Sequence, residues 1–306
     1  MNYNYNKKTK KKSSMFGMSM TVRAIVLVII IGMFPLAMWL YWDKPENGGE
    51  EPIPSDRIVY HFIDVGQGDA ILIERGGHYA LIDGGEYRAR SKVTDYLDEL
   101  GVQTLDYVIA THPHSDHIGG LSTVLGHYQI GAFLMPDARN DTTGFEKMLE
   151  AAEKNAVSAT LVKAGDTFDL AGAQLSVLSP QEGAQFGELN EASVVLLVSG
   201  GGVRALLTGD APASVEKQLA ADGLPSCALL KVGHHGSSDA TSSELLSVIR
   251  PQVAVISCGR GNDYGHPHSE TLAALADYGA QVVRTDENGS IVVTVEGGEL
   301  SVKTER

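Results

Sequence analysis

The chain has 306 residues and a formal net charge of −14, enough length to bury one large core or two small ones. Six of its 24 basic residues and none of its 38 acidic ones lie in residues 1–42, so the remainder carries 18 basic against 38 acidic residues, a net of −20. A body this acidic repels polyanions at long range, and no basic nucleic-acid-binding patch is evident, which argues against a passive nucleic-acid-binding module. Bound divalent metals would add local positive charge that this count omits.

Residues 1–23 form a basic leader, and Ala24–Trp42 is a run of 19 uncharged, mostly apolar residues. At about 1.5 Å per residue a helix of that run matches the ~30 Å of a bilayer core. Trp39, Tyr41 and Trp42 crowd its C-terminal end, with the lysines on the other side. That arrangement predicts a single-pass anchor with the N-terminus cytoplasmic and the body outside. A cleaved secretory signal is the alternative, but no small-x-small site follows Met38, as cleavage would require. Residues 43–56, rich in Pro, Gly and acid, read as a linker to a body over 57–306.

In the body, short β-branched runs alternate with amphipathic segments. Strands are expected at Ile58–Ile63, Ala70–Glu74, Tyr79–Ile82, Tyr107–Ala110, Ala132–Met135 and Ala159–Val162, with helices at Ser91–Leu100, Ile118–Leu125 and Gly144–Lys154. The second half repeats the theme. Strands are expected at Gln174–Leu178, Val194–Val198, Val203–Leu207, Ala228–Val232, Val253–Ser257, Gln281–Arg284, Ser290–Val295 and Leu300–Lys303. Its helices fall at Ala213–Ala220, Ser243–Ile249 and Glu270–Tyr278. Two such halves predict two sheets packed face to face with helices outside. Cys227 and Cys258 sit in apolar runs without CxxC spacing and read as buried thiols; a disulfide is the alternative in an oxidising compartment.

The chemistry concentrates at strand ends. His112-Pro-His114-Ser-Asp116-His117 follows the strand ending Val108-Ile-Ala110. Side chains two apart in an extended segment converge on one point, and the adjacent Asp116 and His117 turn to a second. Imidazoles with one carboxylate suit zinc, and two such points suit a pair of ions. Leu206-Leu207-Thr208-Gly209-Asp210 delivers a carboxylate fit to bridge two cations, and Lys231-Val-Gly-His234-His235-Gly-Ser237 delivers two further imidazoles. One of that pair would ligate metal and the other would position substrate or protonate a leaving group. His266, in Tyr264-Gly-His-Pro-His268, is a further candidate to line the site. Asp64, Asp69 and Asp83 lie in Gly-rich turns and are candidates to orient the ligands. His61, His78 and His127 have no such context.

Together, Phe62-Ile-Asp-Val-Gly-Gln-Gly-Asp69, Ile82-Asp-Gly-Gly85, Thr111-His-Pro-His-Ser-Asp-His-Ile-Gly-Gly120, Leu207-Thr-Gly-Asp210 and Lys231–Ser237 resemble the metallo-β-lactamase superfamily. More narrowly they resemble the ComEC-like group of DNA-uptake competence proteins, over roughly Arg57 to Val295. The resemblance implies an α/β fold, an αββα sandwich of two mixed sheets, and a metal-activated hydroxide attacking a phosphodiester or similar ester. It also implies that His112 and His114 hold one ion and Asp116 and His117 the other. Asp210 would bridge them and His234 or His235 would complete the second; Lys231, Ser237 and Asn190 are further candidates to orient the ligands. The cofactor expected is two divalent ions, zinc first and manganese as the harder alternative. Many superfamily members carry a further histidine before the bridging aspartate; here Asn190 stands in that interval, which implies a weaker first ion site.

A membrane-anchored phosphodiesterase or nuclease is therefore expected, with DNA among its candidate substrates. The rivals are a small-ester hydrolase of phosphorylcholine esterase, lactonase or β-lactamase type, and a metal-stabilised binding module without turnover.

Overall fold

Alternation along the first strands sets the layering. In β1 (Ile58–Phe62), Ile58, Tyr60 and Phe62 are buried in a cluster with Leu175, Val177, Leu196, Val198 and Leu207, which come from strands of the other sheet. The intervening His61 turns outward onto Tyr96 and Glu74. A period of two sorts one face from the other, and the same sorting sends Leu72 and Leu81 to a second cluster under helices.

A computed structural model describes residues 56–306. The basic leader, the expected anchor at 24–42 and the linker as far as residue 55 lie outside the described residues. Among the described residues no helix is long and apolar enough to cross a membrane.

The first sheet has eight strands in the order β15 (Glu299–Thr304), β14 (Ile291–Glu296), β1, β2 (Ile71–Arg75), β3 (His78–Ile82), β4 (Thr104–Ile109), β5 (Gln129–Met135) and β6 (Ala159–Leu161). The second has seven, in the order β13 (Gln281–Arg284), β12 (Val253–Ile256), β11 (Leu229–Lys231), β10 (Val203–Leu207), β9 (Val195–Gly200), β8 (Ala173–Ser179) and β7 (Thr167–Leu170). Strands β3 to β6 run parallel, as do β10 to β13. Helices α1 (Arg90–Glu99), α2 (Ser115–Ile118), α3 (Leu121–His127) and α4 (Thr143–Lys154) supply Val93, Leu97, Ile118, Leu121, Val124 and Phe145 to the outer face of the first sheet. Helices α5 (Ala213–Ala221), α6 (Ser243–Ile249) and α7 (Ser269–Asp277) cover the second with Leu219, Leu245, Leu246, Ile249 and Leu275. The expected αββα sandwich is present.

Besides an unexpected single helical turn at Thr285–Asn288, two elements differ from the sequence reading. The helix expected over Ile118–Leu125 is two pieces, α2 and α3, divided at Gly119–Gly120. A Cβ on Gly120 would collide with the Gly84 carbonyl oxygen, so the break lets two loops touch. Strand β7 was not expected; its four residues turn into β8 through Ala171 and Gly172, both at positive φ. Alternation cannot be read over so short a run.

The two sheets are joined at the C-terminal edge of their parallel strands. The Val194 amide donates to the Thr111 carbonyl at 2.9 Å. Lys231, fully buried at the end of β11, places Nζ 2.8 Å from Asp69 Oδ2 in the loop between β1 and β2, and donates to the Val232 carbonyl at 2.8 Å. Burial opposes charge on Asp69, but Lys231, His235 and His117 hold its carboxyl down at about 2. A buried carboxylate stripped of its cation is strongly destabilising. Lys231→Met should therefore cost about 3–5 kcal/mol of unfolding free energy in urea titration; a loss under about 1 kcal/mol would contradict that reading of the pair. The cysteines are both free and buried, and burial pushes each thiol up to about 12. Neither should react with Ellman's reagent at pH 8 in the native state, and both should react in denaturant.

Candidate metal centre

The strand ends deliver their side chains to one edge between the sheets. The segment after β4 carries His112, His114, Asp116 and His117, with His114 capping the single turn α2 and Asp116 and His117 upon it. The Asp210 turn follows β10. Gly209 before it has φ 53°, and a Cβ there would press on Thr111 and Ser193 at 3.1 and 3.3 Å. The Asp210 amide donates to Ser193 Oγ at 3.2 Å, which holds the turn in place. After β11, His234 and His235 both lie in the left-handed region, at φ 47° and 53°. Non-glycine residues adopt that conformation at a cost of roughly 1–2 kcal/mol each. The buried Glu216 carboxylate braces the loop by accepting from the Thr241 and Ser242 amides at 2.8 and 2.6 Å.

The three loops converge on one atom. Asp210 Oδ2 lies 3.2 Å from His117 Nε2, 3.5 Å from His235 Nε2, 3.7 Å from His234 Nε2 and 3.8 Å from His112 Nε2. The His117 and His235 Nε2 atoms are 3.3 Å apart, and Asp116 Oδ2 is 3.2 Å from His235 Nε2. His114 Nδ1 is 2.9 Å from His112 Nε2. Asp69, His117, Asp210 and His235 each offer a ligand atom within 4.8 Å of the others.

The opposite ring nitrogens are tied back. His117 Nδ1 is 2.7 Å from Asp83 Oδ2, and Asp83 also accepts from the Thr111 amide and hydroxyl at 2.8 and 2.7 Å. His235 Nδ1 is 3.0 Å from the Ser257 carbonyl and 3.5 Å from Asp69 Oδ1. His234 Nδ1 is 2.9 Å from Asp239. A proton held on Nδ1 leaves Nε2 free to face a cation.

Burial depresses His112 well below the usual imidazole range, and His117 beside it adds to this. Burial opposes charge on His117 too, yet Asp210, Asp83 and Asp116 lift its proton affinity well above the ordinary value. His235 is lifted in the same way by Asp210, Asp116 and Asp69. Burial would raise Asp210, but His117 and His235 hold its carboxyl far below the usual range. Buried Asp69, Asp83 and Asp210 thus face one buried lysine, and Asp210 Oδ1 is buried without a hydrogen-bond partner. Buried carboxylates that draw protons onto two imidazoles, an orphaned oxygen and several converging ring nitrogens together fit divalent ions of the zinc or manganese kind, which would take the place of those protons.

Most of the expected site residues come together here, with their ranks changed. The sequence left open which of His234 and His235 would be the ligand; His235 is buried in the cluster, while His234 is partly exposed and bonded to Asp239. Asp69, expected in a supporting role, has an oxygen inside the cluster as well as its contact with Lys231. His266 lines a cleft of about 400 Å³ with His114, Asp116, Asp210, His234 and His235. Asp64 is not brought to the centre: its carboxylate lies against Arg306 at 2.8 Å and accepts from the Gly66 amide. Ser237 shapes the loop, its carbonyl accepting from Thr271 Oγ1 at 3.0 Å. Asn190 is buried on a single 3-10 turn, Leu189–Ala192, with Oδ1 unpartnered, and that turn leads to Ser193 and so to Asp210. His61, His78 and His127 lie elsewhere, against Glu74, Asp106 and Asp98. The sequence reading missed Asp239, Thr111 and the cleft-lining Gln67 and Asn140, polar residues whose roles depend on contacts between loops.

Residues 63–260 match the family model described as the Metallo-beta-lactamase superfamily. The chain is 32% identical over 260 residues to ComE operon protein 3 of Bacillus subtilis, covering 78% of this chain and 33% of that protein. It is 34% identical over 249 residues to Recombination protein 2 of Haemophilus influenzae, covering 80% and 30%. The chain thus spans about one third of the length of these curated relatives. Among solved structures, the metallo-beta-lactamase fold protein YhfI from Bacillus subtilis has a TM-score of 0.52 at 13% identity, covering 80% of this chain and 99% of that one, a likeness of fold. The chain belongs to the metallo-β-lactamase superfamily of hydrolases, with ComEC-like competence proteins among its relatives.

Proposed function

We propose that residues 57–306 form a divalent-metal-dependent phosphodiesterase. We further propose that residues 24–42 anchor it in a membrane, with residues 43–56 as linker, the N-terminus cytoplasmic and the body outside. The observation that carries the catalytic reading is the convergence of four imidazole Nε2 atoms within 3.8 Å of Asp210 Oδ2. In this reading His112 and His114 would hold one ion, Asp116, His117 and His235 would hold the other, and Asp210 would serve both. Divalent ions bound there supply Lewis acidity and acidify a water at neutral pH.

The chain's own groups do the rest. Asp83 and the Ser257 carbonyl hold the Nδ1 sides of His117 and His235, which turns both Nε2 atoms toward Asp210. His266 is pushed down to about 4 by burial and by His235 and His234. It is therefore neutral at pH 7, and its one ring N–H can donate to a phosphoryl oxygen. Burial opposes a proton on His234, but Asp239 and Asp210 raise its proton affinity. Its place at the cleft makes it the group that protonates the leaving oxygen. The name of one relative, Recombination protein 2, speaks of recombination, which favours a polynucleotide as the phosphodiester.

The full chain supplied with zinc or manganese should hydrolyse bis-p-nitrophenyl phosphate, and a chelator should abolish the turnover. Asp83→Ala should lower kcat/KM by about 10–100-fold through His117. Turnover of a lactone or β-lactam in place of the diester, or an unimpaired Asp83→Ala variant, would overturn the proposal. Full chain should also stay with membranes through alkaline extraction, and removal of residues 24–42 should release it.

A further inference from the structure

Beside the centre runs a second groove, of about 590 Å³, which shares Gln67 and Tyr264 with the cleft over the centre. Three cations line it: Arg88 and Lys92, on the turn before α1 and on α1, and Arg260, after β12. All three are exposed. Two carboxylates also line it: Glu86, which pairs with Arg88, and Asp263. Among the described residues Lys92 and Arg260 have no carboxylate partner. The Lys92 ammonium donates to the Asp64 carbonyl at 3.1 Å and Arg260 Nε to the Asp286 carbonyl at 3.0 Å. These bonds hold the Lys92 ammonium and the Arg260 guanidinium in place without pairing either with a carboxylate; Lys92 also borders a neighbouring groove that carries Asp64, Asp95 and Glu99. On a chain of net charge −14 the cation-lined groove is a local exception.

At the junction of groove and cleft stands Tyr264, 66% exposed. Its ring lies nearly parallel to that of His266, at 24° and 5.6 Å between centroids. The loop beneath it is held by Asn262, whose Oδ1 accepts from the Tyr264 and His266 amides at 3.1 and 3.0 Å and whose Nδ2 donates to the His266 carbonyl at 2.6 Å. An exposed aromatic alone means little. An exposed aromatic face on a braced loop, next to cations without a carboxylate partner and opening on a candidate phosphodiester centre, is the combination that binds single strands.

Resting on the phosphodiesterase reading of the adjoining centre, we infer that this groove is a subsite for single-stranded polynucleotide. Lys92 and Arg260 contact backbone phosphates beyond the scissile one, and Tyr264 stacks a base at the mouth of the cleft. An acidic peptide would meet the cations but leave Tyr264 unused.

The test is fluorescence anisotropy of a labelled twelve-residue oligothymidylate with the full chain, read across salt concentrations. Tyr264→Ala should weaken binding about 5- to 100-fold, the effect of losing one stacked base. Lys92→Ala with Arg260→Ala should reduce the slope of log affinity against log salt by about 1.4, or 0.7 per phosphate contact. The charge-matched pair Lys154→Ala with Lys217→Ala, outside the groove, should leave that slope unchanged. Equal slopes for the two pairs, wild-type affinity in Tyr264→Ala, or full displacement by polyglutamate would each overturn the inference. Because binding is read without turnover, a chain that binds the oligonucleotide but fails on bis-p-nitrophenyl phosphate would refute the phosphodiesterase reading alone.

Discussion

Negative charge buried at one sheet edge is the constraint from which the rest of this structure follows. Asp69, Asp83 and Asp210 are each at most 2% exposed, and Lys231 is the buried lysine set against them. Carboxylates removed from water need charge or hydrogen bonds nearby, or they protonate. Asp83 meets the need with Thr111 and His117, and Asp69 with Lys231. Asp210 is left with imidazoles crowded around one oxygen and nothing on the other. That imbalance is what a divalent ion removes.

Holding the arrangement is costly to the backbone. His234 and His235 are consecutive residues in the left-handed region, where side chains of this size are disfavoured. Buried Glu216 and the strand ends beneath the loop keep it there. Strain at a functional loop persists where the surrounding structure over-determines it. Here that structure is a two-sided sandwich, whose parallel strands all point their C-terminal ends at the same edge, as open α/β sheets commonly do at ligand sites.

Much of this was legible in the sequence. The apolar run Ile58–Ile63 announced the strand, but which of its faces turns inward came only with the packing of the second sheet. The clustering of His112, His114, Asp116 and His117 after an apolar run announced metal chemistry. What stayed hidden depends on contacts between distant segments. No local pattern tells which of His234 and His235 is buried, because both follow the same strand and the left-handed turn decides it. Asp64 and Asp69 look alike in a Gly-rich run, yet one lies against Arg306 and the other against Lys231. The groove cations were invisible for the same reason: Lys92 and Arg260 come from opposite halves of the chain, and the overall acidic balance masks them.

The central claim is that Asp210 is shared between bound cations. Elemental analysis of the purified full chain after dialysis measures this most directly. The account predicts about two divalent ions per chain, with both diminished together in Asp210→Asn. A wild-type chain without bound metal, or an Asp210→Asn variant that keeps the wild-type content, would contradict it.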